Sequence, residues 1–466
     1  MDSKALHIFL RSLCVAVLCI LYYWIGYKLD RTSFWLLFSL YTTAFAASYY
    51  LMQSGVKLKY LIGLSFGLKL IFLFAVPELS QDFYRFIWDG MLTVKGYNPY
   101  LHLPVELMTT TEFNSENFNV LLYDNMGELS ANNYSTYPPV AQLFYSLSYA
   151  IGGNNLLLNI IILRLINIVA ELGILYVGLK ILEHLKLPKV RILYFILNPL
   201  VILESTFSLH FEVVMLLFLA LSLFYLYRSQ LHLSAIGLAG AVAAKLMPLM
   251  FLPLLFSFLN KKGRVFNTQQ LLRFLGFCTV SLVSLILAYS WLWDPELLSK
   301  NFETLSLYFS SFEFNASIYY VLRWIGYQWT GYNMIGLFGK AGSIVSLGFI
   351  VYLSLRYKKI SFKTLLQHML LASTLYYLFS TTVHPWYLML PLFLGVFTKF
   401  NYMVVWSWLV FLSYTAYANA NANFEENLWL IALEYGILAS IIFYEVFLKK
   451  KLFLGRSSSR VDKVDS

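Results

Sequence analysis

The sequence predicts an all-α polytopic membrane protein, and three observations carry the prediction. First, 59% of its 466 residues are apolar and 12% are charged, where a soluble chain carries about 25% charge. Second, helix-length apolar stretches recur from end to end. This excludes an outer-membrane barrel, whose strands alternate over about ten residues. The first stretch has no small-residue cleavage site, so a secreted enzyme with a leader is excluded too. Third, the bases are sorted. Six short polar connections hold sixteen Lys and Arg and no acid: Lys57 and Lys59; Lys186, Lys189 and Arg191; Arg228; Lys261, Lys262 and Arg264; Arg356, Lys358, Lys359 and Lys363; and Lys449 to Lys451. By the positive-inside rule all six face the cytoplasm. The connection 78–137 carries eight acids against Arg85 and Lys95, and is expected outside. The net charge of +10 is thus a matter of membrane topology, and no nucleic-acid partner is implied. Cys14, Cys19 and Cys278 all sit in apolar segments, so no disulfide framework or thiolate metal site is expected.

Threading one helix between successive sides gives spans at 7–27, 33–52, 60–77, 156–184, 192–208, 209–227, 234–246, 248–259, 271–293, 333–355, 364–383, 388–400, 402–418 and 428–448. This corresponds to 12–14 transmembrane helices. Those at Pro248 and Pro391 fall short of the roughly 20 residues a bilayer needs and read as tilted, broken or re-entrant. Segment 138–152 is apolar, but counting it as a span would turn Lys186 and Arg191 outward, so it reads as a surface helix. The expected organisation is one transmembrane domain over 1–451, with a large first extracytoplasmic loop at 78–153. A polar cytoplasmic tail at 452–466 follows, expected to be disordered. Both termini are expected in the cytoplasm, and the membrane is expected to be a plasma membrane.

Charged side chains inside apolar segments are costly and so are functional candidates by default. With this topology nearly all fall at the outer face. They are Asp82, Arg85 and Asp89; Glu204, His210 and Glu212 at the turn between two spans; Lys245; Arg323; and His384 ahead of Pro385-Trp386-Tyr387. A proton-coupled transporter would place such groups near the midplane instead.

The densest stretch is Asp82-Phe83-Tyr84-Arg85-Phe86-Ile87-Trp88-Asp89-Gly90, followed by Gly96-Tyr97-Asn98-Pro99-Tyr100. As a helix over 83–95 it places Asp82, Arg85 and Asp89 on one face. Its apolar residues suit a helix lying on the bilayer, and Gly96 ends it. Two readings fit the charges. Two carboxylates flanking an arginine suit glycosyl transfer, one as base on an acceptor hydroxyl and the cation on a leaving phosphate. A structural Asp–Arg–Asp network that fixes the loop fits equally.

The order Asp82, Trp88-Asp89-Gly90, Gly96-x-Asn98-Pro99-Tyr100 and Tyr137-Pro138-Pro139 resembles the GT-C glycosyltransferases. The likeness is nearest to bacterial polyprenol-phosphate-mannose-dependent mannosyltransferases. Glycosylphosphatidylinositol mannosyltransferases and protein mannosyltransferases are more distant. Asn198-Pro199, the Glu204…His210-x-Glu212 turn, Lys245-x-x-Pro248, Phe314-Asn315-Ala316-Ser317 and His384-Pro385-Trp386-Tyr387 follow in the family's order. The resemblance implies a GT-C fold and an inverting transfer of mannose. The donor would be a polyprenyl-phosphate sugar, and the acceptor a lipid-linked or glycan hydroxyl. Asp82 and Asp89 would be catalytic. Arg85, Lys245, His384, Tyr387, Glu204, His210, Glu212, Asn315 and Tyr137 would bind substrate or its phosphate. No cofactor is expected: cations alone neutralise a lipid monophosphate, and a divalent metal is not favoured.

Other readings stay open for single residues. Lys245 is either a phosphate ligand or a snorkelling interfacial lysine. His384 is a ligand or an interfacial anchor. Glu204, His210 and Glu212 are a hydrogen-bonded network or, less simply, metal ligands. Arg164, paired with Glu171 at i+7, is expected to be structural. Two other functions are carried alongside: an oligosaccharide flippase or other transporter, and a membrane scaffold.

Overall fold

The computed structural model describes residues 3–260, 267–357, 359–418 and 425–448. The expected tail at 452–466 and the bases Lys261, Lys262, Arg264, Lys358 and Lys449 to Lys451 lie outside the described residues. The protein is all-α. Among the described residues the one extended pairing is a parallel bridge between Phe314 and Thr382.

Helix occupies each of the fourteen expected segments. Five helices are long and apolar enough to cross a membrane: Lys4–Tyr27, Leu156–His184, Thr268–Leu292, Ile335–Arg356 and Leu428–Phe447. The pair Lys189–Ile196 and Pro199–Phe207, bent by 46°, makes a sixth if it counts as one span. The other segments are shorter or interrupted, as the prolines require. After Lys245 the chain breaks into two short helical turns around Pro248 and Pro253.

The elements that position the site are α1 (Ser3–Tyr27), α2 (Phe34–Gln53), α3 (Leu58–Leu70), α4 (Asp82–Val94), α5 (Pro139–Gly152), α6 (Leu156–His184), α7 (Lys189–Ile196), α8 (Pro199–Phe207), α9 (Glu212–Tyr227) and α10 (Leu231–Ala244). Among the long apolar helices α6 is the central one: half of it is buried, against 11% of α1. Leu163, Ile174 and Ile181 are enclosed, while Val169, Leu172 and Tyr176 stay open to lipid. Both faces are apolar, the pattern of a helix that packs on one side and meets lipid on the other.

Helix α4 departs from the expected bilayer-lying helix. Phe83, Phe86, Ile87, Trp88, Met91 and Leu92 are all buried, because α5 and the helix Asn117–Asn125 cover them. Phe86 stacks on Tyr145 of α5 at 4.5 Å. Gly90 lies so close to the Tyr145 carbonyl that a Cβ has no room, so glycine is required for the two helices to touch. Gly96, at φ +87°, ends the element as expected.

Candidate active site

Four chain segments converge at the end of the bundle next to Asp82. The first is the turn after α8. Asn198 starts α8 by accepting the Leu200 amide at 2.9 Å, and Pro199 fixes its first turn. The helix then widens. The Ser208 amide reaches back to the Leu203 carbonyl and that of His210 to the Glu204 carbonyl, spacings of five and six residues. Leu209 takes a left-handed φ of +65°, a strained conformation for a branched residue. The outcome is that Glu204, His210 and Glu212 all point inward.

Within this turn Glu204 is fully buried. One of its oxygens accepts from the Tyr414 hydroxyl at 2.8 Å, and the other lies 3.5 Å from His210 Nε2. His210 Nδ1 is 3.9 Å from an Asp82 oxygen. The imidazole stacks on Trp386 at 3.7 Å, Trp386 on His384 at 4.4 Å, and His384 on Phe314 at 4.7 Å. The 314–382 bridge places that last ring. Burial, then Lys245 and His384, hold His210 well below the usual histidine range. Burial and Lys245 push His384 down to about 3. Both rings are therefore neutral partners at physiological pH, and Lys245 is the cation of this cluster.

Lys245 ends α10 in an extended conformation. Its ammonium bonds Glu212 and sits 4.8 Å over the Tyr387 ring. Glu212 is 3% exposed, whereas the Lys245 and Asp82 side chains keep 31% and 33% of their surface open. Burial raises the Asp82 carboxyl to about 6, with Glu212 adding to the rise and Lys245 opposing it. The cluster thus presents two accessible ionic groups, a carboxylate of raised basicity and an ammonium, backed by two enclosed carboxylates and two neutral histidines. Among the described residues no three His, Cys, Asp or Glu side chains form a metal-holding group. Glu212 turns to Lys245 while Glu204 and His210 face each other.

Asp82, Glu204, His210, Glu212, Lys245, His384 and Tyr387 are brought together, and five other candidates are not. Asp89 is fully buried: it accepts from Arg85 at 2.7 Å, Ser135 at 2.5 Å and Gln142 at 2.9 Å. Arg85, 3% exposed, also donates to the carbonyls of Ser130 and Asn133. The pair pins the 130–142 segment onto α4, with Asp89 two turns or about 10 Å along the helix from Asp82. Tyr137 packs edge-on against Phe86 and Tyr145, and its carbonyl accepts from Tyr100. Asn315, at φ +46° and fully buried, ties its segment to Glu426, Glu434 and Tyr435. Arg323 pairs with Glu313.

A prediction follows for the closed pair. Asp89→Asn leaves Arg85 buried without its counter-charge, a change that costs about 3–5 kcal/mol. The expected result is loss of monodisperse protein on gel filtration in detergent. A well-folded but inactive Asp89→Asn protein would place Asp89 in the chemistry instead.

Three features lie beyond the sequence reading. Tyr414 is the partner of Glu204, and Arg31 lies 5.2 Å over the Tyr417 ring; one tyrosine among 35 carries no local signal. The third is a buried pair between Lys69 and Glu171 at 3.0 Å. It replaces the expected pairing of Arg164 with Glu171, since Arg164 is spent on four carbonyls. A lone lysine in the apolar segment 60–77 was the available signal.

A family model described as alpha-(1->6)-mannopyranosyltransferase, N-terminal domain, of the MptA_B family, matches residues 2–261. No curated protein and no solved structure matches the chain.

Proposed function

Because the chain belongs to the MptA_B family and is a membrane mannosyltransferase, we propose that it is a GT-C enzyme that moves mannose from a polyprenyl-phosphate donor to a hydroxyl of a lipid-linked or glycan acceptor. The product would be an α-(1→6) linkage formed with inversion, on the extracytoplasmic face of a plasma membrane. The observation that carries this reading is the juxtaposition of Asp82 and Lys245 as the two open ionic groups of one enclosed cluster. In the proposed step Asp82 takes the acceptor proton while the acceptor oxygen bonds to the sugar C1. The bond from C1 to the phosphate oxygen breaks, and the polyprenyl phosphate leaves against Lys245. The transition state is oxocarbenium-like, and the Glu212 carboxylate held beside Lys245 lowers the cost of its positive charge. The aromatic wall of Trp386, Tyr387 and Tyr414 keeps water from competing with the acceptor. The family membership favours this over the transporter and scaffold readings.

Purified protein in nanodiscs, offered lipid-linked and nucleotide-linked mannose, tests the donor. Transfer is expected from polyprenyl-phosphate mannose alone, and equal rates from GDP-mannose would overturn the reading. The pH profile tests the base. The carboxyl sits near 6, so kcat/KM should fall as pH drops through about 6, the side on which Asp82 becomes protonated. A flat profile between pH 5 and 8 would remove Asp82 as the base. Sidedness is tested by thiol labelling in intact cells: Thr109→Cys should react with an impermeant reagent and Arg228→Cys should not. The reverse pattern inverts the topology.

A further inference from the structure

The bend between α7 and α8 and the widened turn after α8 leave backbone carbonyls without helical partners. Pro199 has no N–H, and the Leu200 amide is taken by Asn198, so the Ile196 carbonyl is orphaned. Ser205, Thr206, Phe207 and His210 likewise have carbonyls that continue no helix. In an apolar surrounding such groups require protein donors.

The donors come from α6 and α3. Arg164, Asn167 and Glu171, at i, i+3 and i+7, share one face of α6 and are all fully buried. Arg164 donates to the carbonyls of Thr206 at 2.6 Å and Phe207 at 3.3 Å, and ties them to Leu73 and Ala75 in the segment that follows α3. Asn167 donates to the carbonyls of Ser205 at 2.7 Å and His210 at 3.2 Å. Glu171 accepts from the Ser205 hydroxyl at 2.6 Å and pairs with Lys69, whose ammonium donates to the Ile196 carbonyl at 2.8 Å.

We propose that Arg164, Asn167, Glu171 and Lys69 are positioning residues that hold the Glu204–His210 turn in its strained, catalytically competent form. This rests on the reading of the Asp82 cluster as the active site. The geometry supports it in two ways. The donors satisfy the carbonyls on both sides of Glu204, and Asn167 binds the backbone of His210 itself. A helix packed only by apolar side chains would let the turn relax to ordinary helix, and Leu209 would leave its left-handed φ. Glu204 and His210 would then rotate away from Asp82.

The test uses Asn167→Leu, close in shape but without the donor, and the charge-neutral double variant Lys69→Met/Glu171→Gln, which leaves no unpaired buried charge. Arg191→Met is the control. Arg191 caps the carbonyls of Gly395, Val396 and Thr398, away from the turn, and its loss is a comparable structural insult. Each folded variant at the turn should lose about 10- to 100-fold in kcat with donor KM changed by less than about three-fold, a loss of preorganisation rather than of binding. The acidic limb of the pH profile should move to lower pH as water replaces Glu204 and His210 around Asp82. Hydrogen exchange at residues 203–211 should quicken in both turn variants and not in Arg191→Met. Wild-type exchange over 203–211, or a kcat loss with an unmoved limb, would overturn the proposal. Turnover retained in Asp82→Asn would instead sink the active-site reading, and the exchange data would still decide whether these residues hold the turn.

Discussion

Asp82→Asn is expected to lower mannose transfer by about 10²- to 10⁴-fold, the range for loss of a general base, with donor binding and fold retained. The side chain has the same shape, and its backbone contacts are those of a helix start. The same substitution should raise thermal stability at neutral pH. Burial holds the native carboxyl near 6, above its ordinary value. Asp82 therefore stabilises the fold only while protonated, below about pH 4, and that stability is lost as pH rises through 6. Asparagine removes the charged form, so the gain should appear at pH 7.5 and vanish near pH 4. Melting curves in nanodiscs at the two pH values read this directly. A variant that is inactive and less stable at pH 7.5 would make Asp82 a structural residue.

Lys245→Ala should lower turnover and weaken donor binding together, because a cation at the leaving oxygen gains value as negative charge builds there. A loss of about 10²-fold in kcat is the scale for one such contact. Part of the effect is indirect, since Glu212 is left enclosed without its ammonium. The double variant Lys245→Met/Glu212→Gln separates the two: it should recover folded yield but not turnover. Lys245→Arg should restore activity only in part, because a planar fork does not replace a point charge against Glu212. Activity should survive EDTA. If chelation abolished it and Mn²⁺ or Mg²⁺ restored it, the phosphate would be held by a metal.

The residues of the candidate site that were legible in the sequence are those for which lipid makes charge expensive. Glu204, His210, Glu212, Lys245 and His384 stand out from apolar surroundings, and the structure gathers them with Asp82 and Tyr387. Helix positions were legible for the same reason, apolar length being set by the bilayer, although among the described residues five helices, or six with the bent pair, have the length and apolarity to cross one. Arg85 and Asp89 were placed on the correct helix face. Their partners Ser135 and Gln142 lie about fifty residues on, so no local spacing announces that the face is covered. Of the Asp–Arg–Asp network that would fix the loop, the structure holds the Arg85–Asp89 half, while Asp82 lies beside His210. Asn315 was expected at the site because Phe314-Asn315-Ala316-Ser317 follows the family's order, and the segment does contact His384, through Phe314 rather than Asn315. The pairing of Lys69 with Glu171 was not legible in the sequence because complementarity across two helices is a tertiary property. A rule that pairs every lone intramembrane cation with a lone intramembrane acid would have found them.

The wall that closes the site comes late in the chain. Tyr414 is 210 residues beyond the Glu204 it binds, and Trp386 is likewise far beyond His210. At about 5–20 residues per second of synthesis, roughly 10–40 s separate the arrival of Glu204 in the membrane from that of its partner. During that interval α6 is already present and holds the turn, but the carboxyl has no lid. The newborn protein must therefore keep Glu204 at the wet bilayer edge, or neutral, until the final third of the chain is inserted. Biogenesis thus has a waiting period set by the order of the chain, and a pause in translation after residue 260 would lengthen it.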